Sequence, residues 1–527
     1  MKKTLLSIIA MASYFAVSAQ LPFKFDSTDY VGAFGKVNWA QGWSNFDPDN
    51  TVYPATNATL SGEITTNTTL DASKVYLLNG FVYVKNNATL TIPAGTIIRG
   101  DRGSKATLII TKGAKISAQG TVTQPIVFTS NQAAGSRDYG DWGGIIILGN
   151  AKVNPTGGTA TIEGGVNNAN SDGAYGGTDD NDNSGIISFI RVEFPGIAFQ
   201  PNNEINGITL GGVGKGTKMD HVQVSYSGDD AIEWFGGSVD SKYLITLRAW
   251  DDDYDCDFGF TGRIQYCFTM RDPAIADISG SNGFEIDNDG TGSANTPFTA
   301  PIFSNVTILG PKVFSASISS QYTRAVHQRR NSRISIFNSV LAGYPVGWFV
   351  DALTTYNEVI SGNAEFKNNI LACMTKTWDT IGLRGAAWDQ ATFATNTTNN
   401  NVLNTNCSVG FTSTSITNPG LLPLANSIVW NKQSFASTKF GTVGANVSIS
   451  YIDNKIAVKI YPNPANNTLN VKLYGDMDFV STILDLNGKV LAIGTNQFDI
   501  SNLANGIYLI NIVTAEGSTT AKFTVSH

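Results

Sequence analysis

Very short alternating segments recur at close intervals near the start of the chain, and they restrict the possible folds more than any other feature. Each is only a few residues long, alternates apolar with polar residues, and ends at Gly, Pro or Asn. Strands this short are not stable as isolated hairpins, so they must stack on similar strands along the chain. The segments are 81–84, 89–92, 96–98, 107–110, 115–118 and 126–129.

A longer-period repeat continues beyond these segments. Apolar residues again alternate with polar ones, and Asn, Ser or His often precedes the first core position. The starts are about 20 to 40 residues apart, which is typical of stacked coils with loops of varying length between them. The repeats lie at 189–196, 219–227, 243–250, 264–272, 303–310, 335–343 and 366–374. We expect Val222, Val224, Ile245 and Leu247 to point inward, where burial of each contributes about 1.5–3 kcal/mol.

Together these segments resemble the right-handed parallel β-helix, which implies an all-β protein. The alternative, a β-propeller, has no support because a repeating blade signature is absent from the sequence. The resulting organisation is a signal peptide at 1–19, an N-terminal segment or cap at 20–74, a β-helix at 75–410, a linker or closing cap at 411–454, and a small C-terminal domain at 455–527.

Composition agrees with export and argues against nucleic acid as a partner. Lys2 and Lys3 precede an apolar run, and small residues at 17–19 complete a signal-peptide pattern. No later run is apolar for the roughly 18 residues that a transmembrane helix needs. The net charge of −7 disfavours nucleic acid. The 53 glycines and only 15% charged residues suit a β-rich protein with many tight turns.

Cysteine and histidine give little functional information. Four cysteines (Cys256, Cys267, Cys373 and Cys407) permit three pairings, and the sequence does not choose among them. The few histidines are scattered, so neither a histidine-rich metal site nor a nucleophile–base pair is indicated.

The last part of the chain contains several short strand-like segments with turn motifs, which predicts a small β-sandwich. Its motifs closely resemble the type A C-terminal sorting domain of the Bacteroidota type IX secretion system. The residues that carry the resemblance are Tyr461, Pro462, Asn463, Pro464, Gly488, Gly506 and Tyr508. The resemblance implies the type IX secretion machinery as a partner, passage across the outer membrane, removal of the domain, and attachment to the cell surface or release.

The strongest candidate for a functional site is the acidic run DDDYDCD. If the run is extended, Asp251, Asp253, Asp255 and Asp257 share one face and apolar residues share the other, with Asp252 at the start. The earlier segment 229–237 aligns with 252–260 at a shift of 23 residues.

That alignment stacks Asp229 on Asp252 and Asp230 on Asp253 in neighbouring coils. It also places Glu233 in register with Cys256, and an inward position suits only the cysteine. Stacked carboxylates raise one another's pKa or bind a cation, and Ca²⁺ prefers such oxygen ligands.

Two alternatives to a metal site remain open. Arg248, Arg263 or Arg271, or water alone, could neutralise the charge. The acids could instead be catalytic, with Asp253, Asp255 and Arg271 as the candidate residues of an enzyme.

Two loops give further support for calcium. Segments 180–185 and 287–292 both read D-x-D-x-[ST]-G, with Asp180 and Asp182 in the first and Asp287 and Asp289 in the second. Neither has an acid at the twelfth position, so neither is an EF-hand. Ordinary Asx turns are the alternative interpretation.

A basic run and three tryptophans complete the candidates. The run contains Arg324, His327, Arg329, Arg330 and Arg333, and it predicts either an anion or acidic-sugar site or an exposed loop paired with acids. It loosely resembles the acid-plus-arginine equipment of β-helix polysaccharide lyases, but no lyase motif matches residue by residue. The tryptophans are either sugar-stacking platforms or core residues (Trp234, Trp250 and Trp348).

The sequence therefore predicts a secreted or cell-surface β-helix protein. We expect a binding or adhesin-like module stabilised by Ca²⁺, with surface or extracellular polysaccharide as a candidate partner. The alternative is a polysaccharide lyase or glycosidase that uses the acids around 229–257.

Overall fold

The computed structural model describes residues 23–200, 203–433, 435–437, 439, 458–473, 478–485, 490–514 and 517–527. Some predictions lie outside the described residues. These are the signal peptide, Gly488 of the sorting motif, and part of the predicted linker or closing cap at 411–454.

A single large sheet dominates the fold. It contains 26 strands, and neighbouring strands in it pair in parallel. Its strands, in chain order with the two short hairpins inserted between them, are β1 (Ala58–Ile64), β2 (Thr68–Thr69), β3 (Val75–Val84), β4 (Thr89–Ile92), β5 (Ile97–Gly100), β6 (Thr107–Ile110), β7 (Lys115–Gln119), β8 (Ile126–Ser130), β9 (Gly144–Leu148), β10 (Ala160–Thr161), β11 (Ala174–Tyr175), β12 (Gly185–Glu193), β13 (Ala198–Gln200), β14 (Asn203–Glu204), β15 (Ile208–Val213), β16 (Lys218–Ser225), β17 (Ile232–Gly237), β18 (Ser241–Leu247), β19 (Tyr254–Asp257), β20 (Arg263–Met270), β21 (Phe284–Ile286), β22 (Ile302–Leu309), β23 (Arg324–Gln328), β24 (Ser335–Phe337), β25 (Val340–Ala342), β26 (Val346–Asp351), β27 (Phe366–Lys367), β28 (Ile370–Ala372), β29 (Lys376–Ile381) and β30 (Val402–Asn404).

The strands stack in three columns, so that each coil contributes one strand or part of a strand to each column. This arrangement is a parallel β-helix, which confirms the predicted fold class. The sheet begins with β1, inside the stretch assigned from the sequence to the N-terminal segment. The third column matters most for function, and it consists of β6, β9, β15, β17, β19, β21, β23, β26 and β29.

The interior of the coils is continuous and mostly apolar. Val222 and Val224 point into it, as predicted, and Leu244 stacks directly on Val222. Ile245 and Leu247 do not: they pair with Gln223 and Ser225 and are buried on the outer side of the second column, which contains the C-terminal halves of β16, β18 and β20. Their predicted inward orientation is wrong, because the coil repeats after 22 residues here (244 − 222 = 22) rather than 23.

An N-terminal segment covers the outer side of that second column. Phe34, Trp39 and Trp43 pack there in one apolar cluster with Ile245 and Leu247. Side chains of the coils bind the segment's backbone. Gln223 Oε1 accepts from the backbone N–H of Asn45, and Gln223 Nε2 donates to the backbone carbonyl of Asn45. Gln265 binds the backbone of Asp26 in the same way, and all four N–O distances are 2.6–2.9 Å.

Bends in the long strands are marked by residues with a left-handed backbone. Phe189, His221, Tyr243 and Tyr266 have φ of 51°, 50°, 62° and 64° and are skipped in the pairing register. A left-handed backbone is unfavourable for bulky residues. Their rings stack in sequence, with centroid distances of 4.1, 4.4 and 5.0 Å. This stacking offsets part of the backbone cost.

The remaining elements close the β-helix and form the C-terminal domain. A disulfide joins Cys373 to Cys407, while Cys256 and Cys267 are free and buried. The remaining elements are the helices α1 (Leu353–Ile360) and α2 (Gln390–Thr395), the 3-10 turns Pro311–Val313 and Ile428–Trp430, and the strands β31 (Phe411–Ser413), β32 (Gly420–Pro423), β33 (Val458–Tyr461), β34 (Thr468–Leu473), β35 (Phe479–Leu484), β36 (Val490–Gly494), β37 (Gln497–Asp499), β38 (Gly506–Thr514) and β39 (Gly517–Val525). Strands β33–β39 form two antiparallel sheets around their own core, which includes Leu469, Ile483 and Ile510.

Candidate functional site

The outer side of the third column carries a row of acids, one from each successive strand. Glu233 of β17 lies opposite Asp255 of β19, and Asp255 lies opposite Glu285 of β21. The shift between the first two strands is 22 residues (255 − 233 = 22), so the predicted shift of 23 is wrong. Cys256 instead faces Trp234 in the interior, which removes the mismatch between Glu233 and Cys256.

The turns that lead into β17 and β19 add a second row of acids. Asp230 and Asp252 occupy equivalent positions, and the Asp252 backbone N–H donates to Asp230 Oδ1 at 2.8 Å. Three groups of carboxylate oxygens each lie within 4.8 Å of one another: Asp229, Asp230 and Asp251; Asp230, Glu233 and Asp255; and Asp252, Asp255 and Glu285. We call these seven residues the acidic face.

Asp253 does not belong to the acidic face. Its side chain points into the coil, where Arg271 Nη1 lies 3.2 Å from Asp253 Oδ1 and both side chains are fully buried. Thr246 and Tyr344 also donate to its carboxylate, at 3.1 and 3.4 Å. The prediction that Asp253 shares a face with Asp255 is wrong, because strand alternation begins only at Tyr254, where β19 starts.

The arginines that could have neutralised the run bind other acids. Arg248 pairs with Asp272 at 2.7 Å, Arg263 with Asp240, and Arg271 with the interior Asp253. Among the described residues, only Glu285 of the acidic face forms an ion pair, and the six other acids have no lysine or arginine within salt-bridge distance. The negative charge of the acidic face is therefore largely uncompensated by the protein.

The predicted basic run lies at one end of this face. His327 of β23 stacks next to Glu285, with its Nδ1 3.2 Å from Glu285 Oε2, and Arg329 pairs with Glu285 as well. Arg329 and Arg330 both bind Asp287, at 2.7 and 2.6 Å. The other two arginines of the run bind elsewhere, Arg324 over the Phe349 ring and Arg333 with Glu358.

The first predicted calcium loop, with Asp180 and Asp182, has its own partners, whereas Asp287 of the second loop shares Arg329 with Glu285 at the end of the acidic face. Asp180 pairs with Lys152 at 2.6 Å, and Asp182 accepts from Asn150 and Ser184. Asp289 accepts hydrogen bonds from Thr291 and Ser293, as in an Asx turn. In the described part of the chain, none of these acids joins a group of three potential ligands. Asp257 also lies outside the three groups, and its Oδ1 accepts from the Phe258 N–H.

Burial and mutual repulsion make the acidic face hard to ionise without a counter-charge. Burial, followed by neighbouring carboxylates, raises the pKa of Asp229, Asp230, Glu233, Asp252 and Asp255 well above the ordinary range. Burial raises the pKa of Asp251 to about 6 and that of Asp257 to about 8. Burial also opposes ionisation of Glu285, but hydrogen bonding to His327 and the charge of Arg329 outweigh it and lower its pKa.

Three acids near this face were missed in the sequence. Burial raises the pKa of Asp229, and the charge of Asp251 raises it further. The charges of three more carboxylates act in the same direction, so these acids lie close to Asp229: Glu163, Glu204 and Asp277. Glu163 and Asp277 lie in long loops and Glu204 lies in the short strand β14, and no repeating pattern identifies them. Glu285 was also missed, although Phe284-Glu285-Ile286-Asp287 repeats the apolar–acid–apolar–acid pattern of residues 254–257.

The donor set of the acidic face fits a hard divalent cation. All candidate ligands are carboxylate oxygens, which Ca²⁺ prefers. Asp251 Oδ1 is buried and has no hydrogen-bond partner among the described residues. Since a buried polar atom normally has a partner, this oxygen is available as a ligand.

Fold and motifs together define a class: exported parallel β-helix proteins that carry a C-terminal sorting domain. The family model described as a pectate-lyase-like β-helix domain matches residues 62–415, and the chain belongs to that family. A second model, the secretion system C-terminal sorting domain, matches residues 459–526. This confirms both resemblances and indicates secretion through the type IX system to the cell surface.

No curated protein matches the chain. Within the described residues, no helix is both long and apolar enough to cross a membrane.

Proposed function

We propose that the protein is a calcium-binding, adhesin-like module of the cell surface, and that the acidic face holds the calcium. The observation that carries this proposal is the uncompensated charge of stacked carboxylates in consecutive coils. Like charges at this spacing destabilise the fold unless they are protonated or bind a cation. Exported proteins meet calcium outside the cytoplasm, and oxygen-only sites suit it.

Asp255 links the second and third groups of ligands, and Asp230 links the first and second. Calcium bound there would join neighbouring coils across β17, β19 and β21. The ion would supply positive charge and coordination positions for a ligand of the module. The arginine alternative has less support, because Arg248, Arg263 and Arg271 bind other acids.

A second candidate function is a polysaccharide lyase or glycosidase. One observation favours it: His327 lies on the outer side of the same column as Asp255 and Glu285, and Arg329 pairs with Glu285, so acidic and basic groups lie side by side. The original catalytic candidates Asp253 and Arg271 are fully buried, so a polymer could not reach them. An enzyme would therefore have to use Asp255 or Glu285 with Arg329. Release of unsaturated sugars from a polysaccharide panel would favour this function over the binding module.

Thermal unfolding of the secreted protein tests the calcium proposal. A ligand that binds only the folded state adds about 2.7 kcal/mol at a free concentration one hundred times its Kd. We expect the melting temperature to rise by several degrees when calcium is added to chelator-treated protein. Magnesium, which prefers a smaller octahedral site, serves as the matched control ion. An unchanged melting temperature with calcium at millimolar concentration would contradict the proposal.

A further inference from the structure

Trp250 stands out among the nine tryptophans because its side chain is exposed. Its exposure is 37%, whereas Trp234 and Trp348, the two other predicted sugar platforms, are at most 1% exposed. The remaining tryptophans are buried or half-buried. A large aromatic ring left open at the surface is a candidate contact for a ligand.

The Trp250 backbone is hydrogen-bonded to both neighbouring coils, and its ring packs on one tyrosine. The backbone N–H of Trp250 donates to the Ser227 carbonyl at 2.8 Å, and the backbone carbonyl of Trp250 accepts from Ser281 Oγ at 2.8 Å. The indole meets Tyr139 edge to face at 5.4 Å, and Tyr139 in turn contacts Tyr226 at 5.4 Å. The ring is therefore preorganised, which reduces the entropy lost when a ligand binds.

The next residue, Asp251, belongs to the acidic face. Its Oδ2 accepts from Ser279 Oγ at 2.7 Å, and its buried Oδ1 has no partner among the described residues. Oxygens of Asp251, Asp229 and Asp230 lie within 4.8 Å of one another. Calcium takes six to eight oxygen ligands, so three carboxylates leave positions for other oxygen donors.

The charge of this region selects the type of donor. Glu163, Glu204 and Asp277 lie near Asp229 in addition to the acidic face itself, and the chain as a whole carries a net charge of −7. An anionic polymer would be repelled by these carboxylates. A neutral sugar offers pairs of hydroxyl oxygens and an apolar ring face without that repulsion.

We propose that Trp250 and the group of Asp229, Asp230 and Asp251 form one subsite for a neutral glycan. The apolar face of a pyranose ring packs against the indole, and two adjacent hydroxyl groups complete the coordination of the calcium ion. The inference rests on the proposed calcium site and adds the class of ligand and the residue that positions it.

The test uses the secreted protein with three neutral hexasaccharides built of mannose, galactose and glucose. Binding is measured by calorimetry in calcium and in chelator. We expect at least one hexasaccharide to bind in calcium only. Trp250→Ala should weaken that binding about tenfold or more, which corresponds to about 1.4 kcal/mol, while Trp250→Phe should keep most of it.

Two controls separate this inference from the calcium proposal. Trp430→Ala removes a half-buried tryptophan whose ring packs on Tyr30, and it should bind the sugar like the wild type. Calcium affinity, measured alone, should be the same for Trp250→Ala and the wild type. If the wild type binds calcium but no hexasaccharide, or if Trp250→Ala binds sugar normally, the glycan subsite is refuted and the calcium site stands. If the wild type binds no calcium, both proposals fail.

Discussion

Asp255 is the residue on which the proposed calcium site depends most, because its carboxylate belongs to two of the three ligand groups. We expect Asp255→Asn to weaken calcium binding by about tenfold or more, or about 1.4 kcal/mol. Without calcium, the same change should raise the melting temperature, since it removes one charge from a repelling row. Calorimetry and thermal unfolding measure the two effects.

Asp289→Asn is the matched control, since Asp289 lies in an Asx turn with Thr291 and Ser293 outside all three groups. It should leave calcium affinity unchanged. Normal calcium affinity in Asp255→Asn would mean that the ion, if any, binds elsewhere.

The pH dependence of stability gives a second prediction at the residue scale. The folded-state pKa of Asp251 is raised to about 6 and that of Asp257 to about 8, above the values of an unfolded chain. A raised carboxyl pKa contributes stability that is present at low pH and lost as the pH rises through the folded value. In chelator, the melting temperature should therefore fall between about pH 5 and pH 8.

Calcium should weaken that trend, because the ion binds the ionised form of Asp251 and the other acids of the acidic face, whereas Asp257 lies outside the ligand groups. In excess calcium, the melting temperature should fall less than in chelator over the same interval. Parallel curves with and without calcium would show that these carboxylates and the ion are not linked.

At this scale, the sequence predicted that carboxylates of neighbouring coils lie close together, but it did not predict which of them meet. Phe235 and Gly236 lie within β17, whereas Phe258 and Gly259 lie in the turn after β19, so matching these letters gave the wrong shift. The true shift is 22 residues and not 23, so Glu233 pairs with Asp255, and the side chain of Asp253 points into the coil.

At the scale of the element, the stacked rings at the strand bends are the feature most open to test. Tyr243 lies between His221 and Tyr266. Tyr243→Ala removes two stacking contacts, each worth about 0.5–1.5 kcal/mol, and should lower the melting temperature by several degrees. Tyr243→Phe keeps both rings in contact and should melt like the wild type. Equal stability of the two variants would show that the stacking contributes nothing.

Strands were well predicted because their signal is local. The six short segments coincide with or lie within β3–β8 except at residue 96, which precedes β5. The N-terminal segment that covers the second column was not predicted, because the contacts join residues such as Asn45 and Gln223 that are far apart in sequence. An alternating strand shows which residues share a face but not which face meets the interior.

At the scale of the whole molecule, the β-helix brings distant acids into one row and the sorting domain indicates where the protein works. Glu233, Asp255 and Glu285 come from three successive coils, so only the stacked fold assembles the acidic face. The sorting domain was recognised from its motifs, and its match to residues 459–526 indicates secretion to the cell surface. A calcium ion on the acidic face would hold together coils of a protein exposed to the medium.

The most direct test is to locate calcium in the whole molecule by anomalous X-ray diffraction from crystals grown with the ion. We predict at least one anomalous peak within about 2.3–2.6 Å of carboxylate oxygens of the acidic face, with Asp255 among the ligands. We predict no peak at Asp180 and Asp182 or at Asp287 and Asp289. Crystals grown in excess calcium that show no peak on the acidic face, or peaks only at those loops, would contradict the account.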